Sequence, residues 1–233
     1  MRKLALCFLI AMLFYLLFIP IQNKSIDVDA DQNYAVYDKI IIDAGHGGFD
    51  GGAVAPDGTL EKDINLKISL QLKELCKLGG FQVIMTREGD NGTEKDDTDS
   101  ISNRKKSDMR RRLNIINENP DAMFLSIHLN KFPSSAAKGT QVFYSKNHPD
   151  SQLLAENVQK SVTIRLQPEN NRLIKKSDNS IFLLKNSKVP SVIVECGFLS
   201  NNDELKLLKN TEYQSKMAFA IYCGILDYYK QEK

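Results

Sequence analysis

The hydrophobic patterning of this chain predicts an α/β domain with a largely parallel sheet, and three observations carry that reading. Short apolar runs of strand length alternate with longer stretches whose apolar residues recur at helical spacing, the order that βαβ units produce. The first run, Lys39-Ile40-Ile41-Ile42-Asp43, is apolar at its centre and feeds into a glycine-rich turn at 44–52, as a buried strand would. Two later runs end on titratable side chains, His128 and Glu195. Open α/β sheets place their reacting groups just beyond the carboxyl ends of strands.

In chain order, Met1-Arg2-Lys3 precedes an unbroken apolar stretch from Leu4 to Ile21. At about 1.5 Å per residue it reaches roughly 27 Å as a helix, close to the hydrocarbon thickness of a bilayer. A cleavable signal usually has a shorter apolar core, about 7–15 residues, followed closely by a small-x-small site. Val28-Asp29-Ala30 matches such a site only loosely and lies well downstream. Residues 1–23 therefore fit an uncleaved membrane anchor through 4–21 better than a cleaved signal. The basic pair ahead of the span places the bulk of the chain outside the cytoplasm, anchored or secreted. Residues 24–38 are polar and unpatterned, a linker, and 39–230 form the folded domain.

Within that domain, Ile64, Ile68, Leu72 and Leu75 form the apolar stripe of a helix over 61–78, which Gly79-Gly80 terminates. Phe81–Thr86 reads as a second strand. Residues 88–108 run from six acids to Arg104-Lys105-Lys106 with hardly an apolar residue, and read as a long charged loop, either solvated or a lid or partner-docking segment beside the site. Met109–Asn119 reads as a helix stopped by Pro120. Ala122–Ile127 and Gly139–Tyr144 read as strands, and Ser151–Leu166 as an amphipathic helix. Ser180–Leu184 reads as a short strand and Ser191–Val194 as a buried one. The last helix opens with the capping box Thr211-x-x-Gln214. Internal repeats and low-complexity tracts are absent from the sequence.

The 233 residues are 42% hydrophobic and 26% charged, an ordinary globular balance. Net charge is +2, of which residues 1–30 carry +1 (three bases, two acids), so the domain has no basic excess that would favour nucleic acid. The four cysteines include Cys7 in the apolar run, and none forms a CxxC pair. That argues against a disulfide framework, and Cys76 and Cys223 read as buried small hydrophobes.

The chemistry concentrates in four residues. His46 is flanked by glycines after the first strand, and His128 closes the third. Neutral imidazole is a common zinc ligand, and two imidazoles with a carboxylate are the ligand set of several catalytic zinc hydrolases. Glu61 opens the first helix, where the macrodipole alone favours an acid. It also follows a short polar hairpin at Pro56-Asp57-Gly58 that could fold back beneath His46, and a site of two histidines needs a third donor. Glu195 ends Val192-Ile193-Val194, where a desolvated carboxylate is costly unless paired or chemically employed. Burial raises such a pKa and suits a group that moves protons. A buried ion pair with Arg87 or Arg172 is the alternative. Asp43 is a candidate for orienting a histidine ring. His148 lies in a surface turn by composition. Cys196 faces away from Glu195 on an extended chain and is rejected as a nucleophile.

The segments Ile41–Gly48, Asp50-Gly-Gly-Ala53, Glu61, Thr86-Arg87, Ser126–Asn130, Gly139-Thr140, Asn171-Arg172 and Val194–Asn201 together resemble the amidase-3 family of zinc-dependent N-acetylmuramoyl-L-alanine amidases. The resemblance runs from Lys39 to Tyr228. It implies a twisted mixed sheet flanked by helices, zinc held by His46, Glu61 and His128, and Glu195 as the acid/base. Asn130 and Arg172 are the implied substrate contacts. The implied substrate is peptidoglycan, cut between N-acetylmuramic acid and the L-alanine of the stem peptide. Arg110-Arg111-Arg112-Leu113 and a single catalytic domain resemble the sporulation-associated, CwlD-type branch, which implies action on spore cortex before muramic-δ-lactam forms. Leu129, where relatives carry a small residue, is expected to narrow the groove. With no wall-binding module beside it, the domain is expected to rely on its tether or on an accessory exported protein for localisation or activation. Two rival readings remain at this level: an exported zinc carboxypeptidase, and a membrane-tethered, non-catalytic wall-binding or regulatory protein.

Overall fold

Six strands form one sheet in the order β2-β1-β3-β6-β4-β5, in a computed structural model that describes residues 38–93 and 100–231. The apolar segment at 4–21, and all but the last residue of the linker at 24–38, lie outside the described residues. Among the described residues, no helix is long and apolar enough to cross a membrane.

Strands β1 (Lys39–Ala44), β2 (Gln82–Met85), β3 (Ala122–Asn130) and β6 (Ser191–Phe198) run parallel. Strand β4 (Gln141–Tyr144) lies antiparallel to β6 and carries the two-residue β5 (Lys175–Lys176) at the edge. The sheet is therefore mixed and mostly parallel, as expected. Ile40, Ile42, Met123, Leu125, Ile127, Val192 and Val194 alternate onto one face and build the main core. Helices α1 (Glu61–Leu78), α3 (Asp150–Arg165) and α6 (Thr211–Gln231) supply the rest of it. The opposite face is covered only in part. Ile41 and Phe124 pack there against Ile116 of α2 (Ile101–Asn117) and Leu183 of α4 (Phe182–Asn186) in a smaller cluster. Beyond that cluster, toward the carboxyl ends of the strands, the same face carries Asp43, Ser126, His128 and Glu195.

The end of α1 follows the glycine expectation. Gly80 has φ 89, and Phe81 and Gly80 donate to the carbonyls of Cys76 and Lys77 at 3.0 Å, a Schellman closure. Elsewhere the structure corrects the sequence reading. The charged stretch at 88–108 is not loop throughout, because α2 starts at Ile101, where the Ser100 side chain caps the Asn103 N–H. Its buried stripe is Asp108, Arg112 and Ile116, so two of its three inward positions are charged and hydropathy hides the helix. Ser180–Leu184 is not a strand. Adjacent Leu183 and Leu184 are both buried within the short helix α4, Leu183 in the smaller cluster. The last helix is capped by Asn210, whose side chain accepts from Tyr213 N at 3.1 Å, rather than by Thr211. Gln214 instead donates to Leu208 O at 2.7 Å. Helix α5 (Asn202–Lys209) is an element the apolar pattern did not show, capped by Asn201 through the Asp203 and Glu204 N–H groups. Cys76 is buried as expected, whereas Cys223 is only half-buried.

Candidate active site

Adjacent parallel strands bring the predicted residues together. His46 sits two residues past β1, and His128 and Glu195 are register partners on β3 and β6. Glu61 is the first residue of α1, reached through a hairpin closed by the Val54–Leu60 bridge. The turn is built for close approach. A Cβ on Gly45 would lie 2.3 Å from His128 Nε2, so only glycine lets the imidazole cross the chain there. His46 itself has φ 63, a left-handed conformation rare for a non-glycine residue. That backbone is pinned from below, because buried Arg112 donates to His46 O at 2.7 Å and Ala44 O at 3.1 Å. Arg87 holds the neighbouring carbonyls, Ala44 O at 2.8 Å and Gly45 O at 3.1 Å.

Glu61 lies between the two imidazoles, with Oε1 2.9 Å from His128 Nδ1 and Oε2 3.2 Å from His46 Nε2. The rings meet edge to face with centroids 4.9 Å apart. One donor atom from each of the three residues falls within 4.8 Å of the others. Glu61 is buried and also accepts from Ala53 N, Leu129 N and the Asn65 amide at 2.8, 3.0 and 3.2 Å. Burial opposes its ionisation, but the hydrogen bonds to His128 and His46 outweigh that and hold its carboxyl far below the usual range. For His46 burial opposes the charge, yet Asp50 and Glu61 raise its pKa to about 9. Asp50 Oδ2 takes the other ring nitrogen of His46 at 2.9 Å, and Lys105 contacts Asp50 Oδ1 at 3.1 Å. Two imidazoles and one carboxylate, with a further acid orienting one ring, fit a zinc-type divalent cation.

Glu195 stands beside this cluster. Burial pushes its pKa up to about 7, with His128 and His46 opposing and Glu61 reinforcing. Its Oε2 is buried without a hydrogen-bond partner among the described residues, which polar groups rarely tolerate without a chemical role. The ion-pair alternative is not realised. Arg87 is committed to the turn carbonyls, and Arg172 donates to Lys138 O at 2.7 Å and Gln141 Oε1 at 3.1 Å while stacking over Phe198. Gln141 is the register partner of Glu195, so Arg172 lies one strand beyond it. Asn130 is two residues past His128 on the same face.

Two expectations change. Asp43 does not orient a histidine ring. It accepts from Thr86 Oγ1 at 2.7 Å and Ser126 Oγ at 2.5 Å and forms an ion pair with Arg112, leaving the orienting role to Asp50. Leu129 does not narrow the groove, because it alternates away from His128 into the main core. Lys105, Asp50 and Asn65 join the site although the sequence reading gave none of them a role there. Asp50 carried the one usable signal, a carboxylate four residues after His46 in the same turn. Cys196 is buried on the far face, with its thiol pushed well up by desolvation, consistent with its rejection as a nucleophile.

With this geometry in place, similarity to known proteins is specific. The germination-specific N-acetylmuramoyl-L-alanine amidase of Bacillus subtilis is 38% identical over 193 residues, 83% of this chain and 80% of its own length. The structure of the CwlD amidase from Clostridioides difficile, solved in complex with the GerS lipoprotein, superposes with TM-score 0.80 at 44% identity. That match covers 83% of this chain and 98% of the other. The amidase AmiC2 of Nostoc punctiforme superposes with TM-score 0.69 at 30% identity, over 82% of this chain and 97% of the other. Residues 40–227 match the family model Amidase_3, described as N-acetylmuramoyl-L-alanine amidase. The chain belongs to this amidase family, within its CwlD-type branch.

Proposed function

We propose that this enzyme hydrolyses the amide between the lactyl group of N-acetylmuramic acid and L-alanine in peptidoglycan, with zinc held by His46, Glu61 and His128. The observation that carries the reading is the convergence of those three donors beside a buried carboxyl, Glu195 Oε2, that has no other partner. Zinc held by these three residues would supply Lewis acidity for hydrolysis of the amide. Glu195, its pKa raised to about 7 by burial, takes the proton of that water and returns it to the departing alanine nitrogen. Asp50 fixes the ring of His46 from behind, and Arg112 fixes its backbone. Asn130 and Arg172 contact the substrate along the same face.

The similarity to a germination-specific amidase supports action on the spore cortex, where stripping of stem peptides precedes muramic-δ-lactam formation. The C. difficile relative's complex with a lipoprotein supports an accessory exported partner for localisation or activation. Action on peptidoglycan supports export of residues 39–230, the proposed catalytic domain, with residues 1–23 as its anchor or signal. Mass spectrometry of purified muropeptides incubated with the zinc-loaded enzyme tests the reading. Free stem peptides beginning with L-alanine are the expected product. Cleavage only between amino acids would identify a carboxypeptidase instead, and no cleavage by wild type would leave a non-catalytic wall-binding role.

A further inference from the structure

We infer that the cavity beside the two histidines is the subsite for the N-acylated muramoyl half of the substrate, which sets the direction in which the polymer lies across the site. The inference rests on the amidase reading above.

The cavity has a volume of about 240 Å³ and opens onto His46 and His128. One part of its wall is apolar, made by Met109 from α2, Ile181, Phe182 and Leu183 around the start of α4, and Ile193 from β6. Phe182 remains 39% exposed at its rim. The charged groups reaching the cavity are already engaged, Asp43 and Asp108 with Arg112, and Asp50 with Lys105 and His46. The space lies just below the roughly 300–1,000 Å³ of drug-sized ligand pockets, a size suited to one small acylated unit.

Two independent features orient the substrate. Glu195 is absent from the cavity wall, which touches β6 only at Ile193. A group that returns a proton to the leaving amine must stand on the amine's side of the scissile bond. The stem peptide therefore leaves toward Glu195, and the acyl half lies on the other flank, where the cavity is. Charge agrees with this direction. Stem peptides carry free carboxylates, and Arg172 lies one strand beyond Glu195, next to Gln141. The muramoyl half presents an acetamido methyl and a lactyl methyl, groups that gain from an apolar wall. A de-N-acetylated sugar would bring an ammonium into that wall, where desolvation is costly.

The test compares full-length zinc-loaded enzyme on muropeptides whose muramic acid is N-acetylated or de-N-acetylated. Wild type is expected to favour the acetylated form at least tenfold in kcat/KM. Met109→Trp, which fills the cavity, and Phe182→Ala, which removes its rim, are each expected to erode that preference mainly through KM. Both should retain wild-type zinc content. Melting curves exclude misfolding of Met109→Trp, and the half-exposed Phe182 gives a second route if that variant does not fold. An unchanged preference in folded variants, or no preference in wild type, would overturn the assignment while leaving the amidase reading intact. Failure of wild type to release any L-alanyl peptide would overturn the reading and the assignment together.

Discussion

The three imidazole and carboxylate donors depend on side chains that contribute no donor themselves. Asp50 fixes one ring nitrogen of His46, so the other is directed at Glu61. Carboxylates that orient a ligating histidine typically matter about 10–100-fold for metal affinity. Asp50→Asn is accordingly expected to weaken zinc binding by about that factor, read by competition with a chromogenic chelator, without changing the fold. Glu195 carries a different role and should separate cleanly. Glu195→Gln is expected to lower kcat by about 10²–10⁴-fold while zinc content stays at the wild-type level. Equal loss of zinc in that variant would make Glu195 a ligand rather than a proton carrier. Three of the proposed site residues stood out in the sequence because His46, His128 and Glu195 interrupt apolar or glycine-rich runs, whereas Glu61 opens a helix where an acid is ordinary. The supporting ones were not. Asp43 reads like an orienting carboxylate from its place in the strand, yet an arginine 69 positions away claims it. Long-range pairing of that kind leaves no local trace.

At the scale of elements, α1 and the three central strands were legible because their buried residues are apolar and periodic. Helix α2 was half hidden, since Asp108 and Arg112 occupy its inward positions and form a buried ion pair at 2.8 Å. Removing one partner of such a pair typically costs about 3–5 kcal/mol. Arg112→Met is expected to destabilise the protein by about that amount in urea denaturation, and to release His46 from its left-handed backbone. A loss below about 1 kcal/mol would show that Arg112 is dispensable to α2 packing and to the turn. Helix α5 escaped notice because its eight residues contribute only Leu205 and Leu208 to the core. Its cap was nonetheless readable, since Asn201 precedes two acids whose N–H groups it accepts at 3.0 Å. Asn201→Ala is expected to cost about 1 kcal/mol, within the range seen for lost helix caps.

For the whole molecule, the sheet divides labour between its faces. One face is packed against three helices, while the other carries the smaller cluster at the amino-terminal halves of its strands and the proposed site residues toward their carboxyl ends. A buried charge network at the boundary ties the two halves together, and it makes stability depend on pH. Burial opposes ionisation of Asp43, but Arg112 and the hydroxyls of Ser126 and Thr86 outweigh it and lower its pKa from 3.8 to about 2. Because the folded value lies below the unfolded one, the unfolded chain binds more protons between them. The stability Asp43 contributes is complete above about pH 4 and is lost as pH falls toward 2. Thermal melts from pH 6 down to pH 2 are expected to show the decline, and Asp43→Asn should flatten it. The proposed chemistry requires that His46, Glu61 and His128 surround a single cation with Glu195 at its side. Diffraction from crystals of the zinc-loaded protein, recorded on both sides of the zinc absorption edge, tests it most directly. The expected result is one anomalous peak about 2.0–2.2 Å from a donor atom of each of the three residues, with the Glu195 carboxyl facing the remaining coordination position. A peak held by other side chains, or the three residues turned apart with zinc in excess, would contradict it.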